Sequence, residues 1–153
     1  MPLKKLKEAL EQHHVHYETI RHDPAFTAQG IAATAHVSGN DMAKTVMVKL
    51  DDTMAMAVLP ASRKVNFDRL KKAAGTSTAQ LATEEEFASR FPNCEVGAMP
   101  PFGNVYDMEV FVDEPLTHDI DIAFNAGTHT ELIQMRYDDY EAIVHPKVCE
   151  ISG

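Results

Sequence analysis

Leu3, Leu6 and Leu10 recur at spacings of three and four, which predicts an amphipathic helix over Leu3 to His13. From Val15 to Arg21 apolar and polar residues alternate, the pattern of a strand with one face covered. Thr27 is a candidate N-cap for a helix over Ala28 to His36, which Val37-Ser38-Gly39-Asn40 then interrupts. Thr45 to Leu50 and Met54 to Leu59 are apolar-rich and separated by Asp51-Asp52-Thr53, so they read as a hairpin. Asn66 can cap a short helix that runs to Ala74 and stops at Gly75. Thr83-Glu84-Glu85-Glu86 has the spacing of a capping box, opening a helix to about Phe91. Glu109 to Val112, Ile120 to Asn125 and Glu131 to Met135 are further strands, and a last helix covers Asp138 to Val144. Strands that neighbour one another along the chain, with helices interspersed, predict an α+β fold with a mixed sheet. The strand-rich second half could curl into a partial barrel, though periodicity does not fix closure.

With 153 residues, no internal repeat and no linker, the chain is expected to form a single domain over 1–153. No apolar run reaches the length of a membrane span, and no apolar stretch follows the basic start, so a cytoplasmic address is expected. Cys94 and Cys149 form no C-x-x-C, which argues against a disulfide framework or a cysteine-built zinc site. No heptad pattern calls for assembly, so a monomer is expected.

Charge changes the picture more than composition does. The net charge of −9 disfavours a protein that wraps duplex nucleic acid. Yet residues 1–72 carry 11 Lys+Arg against 8 Asp+Glu, whereas residues 73–153 carry 3 against 15. A small basic face can therefore coexist with an acidic remainder, or the excess acid is simply a solubilising surface.

No phosphate-cradling Gly-rich motif, nucleophile elbow or H-E-x-x-H is present. His13, His14 and His16 cluster at the end of the first helix. A role facing the helix dipole suits them better than metal ligation, for which no carboxylate motif accompanies them. No metal or other cofactor is expected. The eight methionines read as core filler.

Three segments carry candidate chemistry. In Gly97-Ala98-Met99-Pro100-Pro101-Phe102-Gly103-Asn104, two glycines bracket two prolines that fix φ and lack an N–H. The amides of Gly97, Ala98 and Met99 could stabilise an oxyanion, although physics alone favours a rigid turn. Lys44 enters an apolar strand, as either an edge gatekeeper or a functional ammonium; Lys49 fits the gatekeeper better. His129, in the Asn125-Ala126-Gly127-Thr128-His129 turn, is either a base or a surface residue.

His22-x-x-Ala25-Phe26-Thr27-Ala28-Gln29, Ala43-Lys44-Thr45-Val46, Gly97-x-x-x-Pro101-Phe102-Gly103 and Phe124-Asn125-Ala126-Gly127 follow one another in that order. Each is weak alone. Together they make the chain resemble, from about residue 5 to residue 145, the YbaK family of aminoacyl-tRNA deacylases. That family is related to the editing domain inserted in bacterial prolyl-tRNA synthetases. The resemblance implies a strongly curved, barrel-like sheet with surrounding helices. It also implies a free-standing hydrolase that removes a small wrong amino acid from tRNA, with tRNA for proline as the expected carrier. Its Gly-x-x-x-Pro loop and strand lysine map onto Gly97, Pro101 and Lys44, with Ala98 and Met99 between. Phe26, Thr27, Phe102, Gly103 and His129 would line the substrate pocket. The partners implied are the acceptor end of an aminoacylated tRNA and a cognate synthetase. Hydrolysis assisted by the substrate's own vicinal hydroxyl is consistent with the lack of a Ser-His or Cys-His pair. Two other readings stay open: a silent tRNA- or synthetase-binding module of the same fold, and an unrelated small-molecule hydrolase.

Overall fold

The computed structural model describes residues 4–21, 42–87, 99–127 and 131–152. Helix α1 (Lys4–Gln12) buries Leu6 and Leu10, the two described members of the predicted stripe. It leads into β1 (Tyr17–Arg21). The predicted hairpin is present as β2 (Ala43–Leu50) and β3 (Thr53–Pro60), in register from Ala43 opposite Pro60 to Leu50 opposite Thr53. At its tip Asp51 adopts a left-handed φ of 55°, and its Oδ1 accepts the amides of Ser77 and Thr78. A short polar side chain tolerates that conformation and ties the turn to the segment at Ser77 and Thr78.

Helix α2 (Phe67–Ala74) begins and ends as its sequence predicts. Asn66 Oδ1 accepts the amides of Asp68 and Arg69, and Gly75 closes the helix at φ 69°. That φ disfavours any residue with a Cβ. The capping box at Thr83 is reciprocal. Thr83 N donates to Glu86 Oε1 at 2.9 Å, and Glu86 N donates to Thr83 Oγ1 at 3.3 Å, opening α3 (Glu84–Phe87). The predicted helix over 28–36 and the residues beyond Phe87 in the Thr83 helix lie outside the described residues. Strands β5 (Glu109–Asp113), β6 (Asp121–Asn125) and β7 (Glu131–Arg136) fall where alternation predicts, followed by α4 (Tyr137–Val144). Two strands of three residues, β4 (Ala79–Leu81) and β8 (Lys147–Cys149), were not predicted.

The strands form two sheets. One has the order β1-β7-β6, all antiparallel. The other is mixed, with the order β4-β2-β3-β5-β8; β3–β5 and β5–β8 are its parallel pairs. A parallel bridge between Met42 and Ala123 joins the two. The sheet is thus curved and split, and the described strands do not close a barrel.

Two apolar cores follow from the pleat of β2 and β3. Ala43 and Met47 face one way, with Met56 and Val58, into the core shared with α1, α4 and the three-stranded sheet. Val48 and Leu50 face the other way, with Ala55 and Ala57, against Leu70 of α2. The C-terminal segment clips this second layer in place. Buried Asp113 accepts the amides of Ile151 and Ser152 on Oδ1 and the Ser152 hydroxyl on Oδ2, the last at 2.6 Å. Ser152 in turn bridges to Val65.

Candidate functional site

Lys44 lies near the start of β2, opposite Leu59, which is fully buried. Alternation places it with Val46, Val48 and Leu50 on the face that α2 covers. However, α2 reaches only the far half of the strand, so Lys44 and Val46 remain half-exposed. Among the described residues, no strand pairs with the outer edge of β2 here. Strand β4 pairs only with Val48 to Leu50, and β6 reaches only Met42 through its bridge. Partial burial lowers the pKa of the Lys44 ammonium below its usual 10.5, and the charge of Lys64 adds to the shift. Among the described residues no carboxylate forms an ion pair with Lys44. By contrast, Lys49 on the same strand is paired with Glu86 at 2.9 Å. The gatekeeper reading thus suits Lys49, which is bound and screened, better than Lys44.

The second candidate segment is described from Met99 onward. Met99, Pro100, Pro101, Phe102 and Gly103 are all buried. Phe102 N donates to Pro100 O at 2.8 Å, closing a tight turn over Pro101. The buried hydroxyl of Tyr140, on α4, donates to Pro101 O at 2.6 Å. The Phe102 ring is completely buried, 5.4 Å from Phe124 and edge-on to Tyr140 at 5.3 Å. Gly103 opens a short 3₁₀ turn (Gly103–Val105), and its carbonyl accepts the amides of Tyr106 and Met108. A Cβ at Gly103 would collide with Met108 O and come within 2.6 Å of Val110 Cγ2, so no side chain fits. The loop is therefore fixed from beneath by an aromatic cluster, a buried hydrogen bond and a close backbone approach.

Met99 and Phe102 pack into the core between the sheets, whereas Lys44 points to the other face of the five-stranded sheet. The structure thus does not cluster these side chains directly. Phe26, Thr27, Gly97, Ala98 and His129 lie outside the described residues. Two surface grooves, of about 400 Å³ and about 240 Å³, contain none of the candidate residues. Among the described residues, no group of three His, Cys, Asp or Glu is arranged to hold a metal ion. Sequence reasoning missed Tyr140, because its contact with Pro101 spans 39 positions.

The model of the aminoacyl-tRNA editing domain matches residues 22–143. The chain belongs to this family. Among curated proteins, the proline–tRNA ligase of Bacillus cytotoxicus is 31% identical over 83 residues, covering 54% of this chain and 14% of the ligase. The ligase of Bacillus cereus strain G9842 is 28% identical over the same extent. The shared segment is thus a small part of those synthetases. Among solved structures, a protein described only as hypothetical superimposes with a TM-score of 0.86 at 21% identity, covering 98% of this chain and 100% of its own. One described as a proposed trans-editing enzyme for prolyl-tRNA synthetase gives 0.82 at 17% identity, covering 98% and 96%. At these identities the superpositions establish the editing-domain fold. No described helix is long and apolar enough to cross a membrane.

Proposed function

We propose that this editing domain acts in trans as an aminoacyl-tRNA deacylase, removing a small wrong amino acid from tRNA for proline. The observation that carries the reading is the seating of the Met99–Gly103 segment within a family-matched chain. A loop pinned at Pro101 O and packed without room at Gly103 can hold backbone donors still. Preorganised donors of this kind stabilise a developing oxyanion without reorganising.

In this mechanism water attacks the carbonyl carbon of the aminoacyl ester, and the bond to the tRNA's terminal ribose oxygen breaks. Free amino acid and a 3′-terminal hydroxyl are released. The amides of Gly97, Ala98 and Met99 fix the reacting carbonyl, and the vicinal hydroxyl of the substrate assists the water. The Lys44 ammonium engages the phosphate at the tRNA's 3′ end as a compact point charge. A ligand touching both Lys44 and the loop would straddle the N-terminal end of β2, since the two lie on opposite faces of the sheet. Phe26, Thr27 and His129 complete the amino-acid pocket, with Gly103 at its margin. Phe102 contributes from below, through its packing under the loop. No protein nucleophile is required, and a cognate synthetase could supply the tRNA.

The test is a panel of purified tRNAs mischarged with alanine, cysteine, serine or threonine. Release of free amino acid from one or two species supports the reading. Retained tRNA or synthetase binding with no release from any species would replace it with the silent binding module.

A further inference from the structure

The turn between β3 and α2 and the helix itself, residues 61–75, carry five Lys+Arg against one Asp in a chain of net charge −9. Most basic side chains described elsewhere are engaged. Lys49 pairs with Glu86, Lys147 with Glu109, Arg21 with Glu131 and Arg136 with Asp138. Within the basic segment, Arg63 and Arg69 both donate to Ser152. Lys64 is exposed and, like Lys71 and Lys72, has no ion-pair or side-chain hydrogen-bond partner among the described residues.

Its backbone position is nevertheless built. Arg63 N donates to Pro60 O at 2.9 Å, turning the chain just after β3. Val65 bridges to Ser152, and Asn66 N donates to Ile151 O at 2.7 Å. Buried Asp113 in turn holds Ile151 and Ser152. Lys64 therefore leaves a fixed stretch of chain at the end of β3 whose Pro60 is paired with Ala43, next to Lys44. Two ammonium groups near one another, with no carboxylate among the described residues paired to either, are unfavourable until an anion joins them.

We infer that Lys64 is a second cation of the site and, with Lys44, holds a backbone phosphate of the tRNA acceptor arm. This inference rests on the proposed deacylase reading for the identity of the anion. A small basic corner on an acidic molecule suits a partner presented end-on, because binding by phosphate neutralisation scales with the number of cations engaged.

The experiment measures binding of an uncharged acceptor-arm minihelix RNA to the full chain, across a salt series. Lys64→Ala is expected to weaken binding by about three- to tenfold and to reduce the slope of log Kd against log salt by about 0.7 to 0.9. Lys64→Arg should restore the slope. Arg136→Ala, which removes the same charge from the three-stranded sheet, should leave it unchanged. The inference is overturned if Lys64→Ala behaves like Arg136→Ala, or if the wild-type chain does not bind the minihelix. Because the RNA is uncharged, the result is separable from hydrolysis. Binding that depends on Lys64, with no deacylation of any mischarged tRNA, keeps this inference and removes the enzyme. Deacylation with unchanged Lys64→Ala binding does the reverse.

Discussion

Lys44 holds an ammonium half-buried beside Lys64, with a pKa displaced below 10.5 by burial first and by Lys64 second. The folded chain therefore binds this proton less tightly than the unfolded chain does. The destabilisation is fully present below the lowered folded value and lifts as pH rises from there to 10.5. Lys44→Met keeps the aliphatic stem and removes the charge. It should melt at or above the wild-type temperature near neutral pH, with the advantage shrinking as pH climbs toward 10.5, while deacylation falls on the order of a hundredfold. Paired melts and single-turnover rates check this. A folded Lys44→Met with wild-type turnover would remove the lysine from the mechanism. Arginine should rescue only in part, because its planar fork is not a point charge.

At the scale of elements, the loop and its support make distinct predictions. Tyr140→Phe leaves the buried carbonyl of Pro101 without its 2.6 Å donor. The expected cost is about 1–3 kcal/mol of stability, together with a several-fold slower rate per folded molecule. Denaturant melts alongside rates separate the two effects; a stability loss with an unchanged rate would make the loop scaffold only. The capping box at Thr83 is a matter of stability alone. Backbone bonding from Thr83, and then the Lys49 ion pair, hold the Glu86 carboxyl down at about 2. Its contribution is present above the ordinary 4.5 and is lost as pH falls through about 2. Glu86→Gln should therefore melt below wild type at neutral pH, and the two curves should converge in acid across that window. A gap that does not change with pH would contradict the assignment.

Elements whose signals are local were legible in the sequence. Asn66 and Gly75 bound α2, Thr83 and Glu86 close a box, and two apolar runs around Asp51-Asp52-Thr53 mark the hairpin. The strands β4 and β8 were not legible. At three residues each they have too little pattern, and they exist because Val48 to Leu50 and Phe111 to Asp113 offer them an edge. The candidate site was legible as motifs but not as a support structure. Lys44, Met99, Pro101 and Gly103 stand out by residue type. Tyr140 beneath Pro101, and Asp113 fixing Ser152 opposite Val65, depend on contacts that only the fold creates.

At the scale of the whole molecule, two sheets join at Met42 and Ala123, and among the described residues no strand pairs with the outer edge of β2 at its start, between two cores. The turn after β3, with Arg63 and Lys64, flanks that end of β2 on a chain of net charge −9. In the proposed reading, such a molecule grips the end of a tRNA without wrapping it. The central claim is that backbone donors of the Gly97–Pro101 loop, rather than a side-chain nucleophile, carry the hydrolysis. Single-turnover deacylation of the best mischarged tRNA by Gly97→Ala and Met99→Ala, with melts to confirm folding, tests it most directly. Altered backbone geometry in Gly97→Ala should slow the rate on the order of a hundredfold, and side-chain truncation in Met99→Ala should change it only mildly. Full activity per folded molecule in Gly97→Ala, with only its stability lowered, would contradict the account.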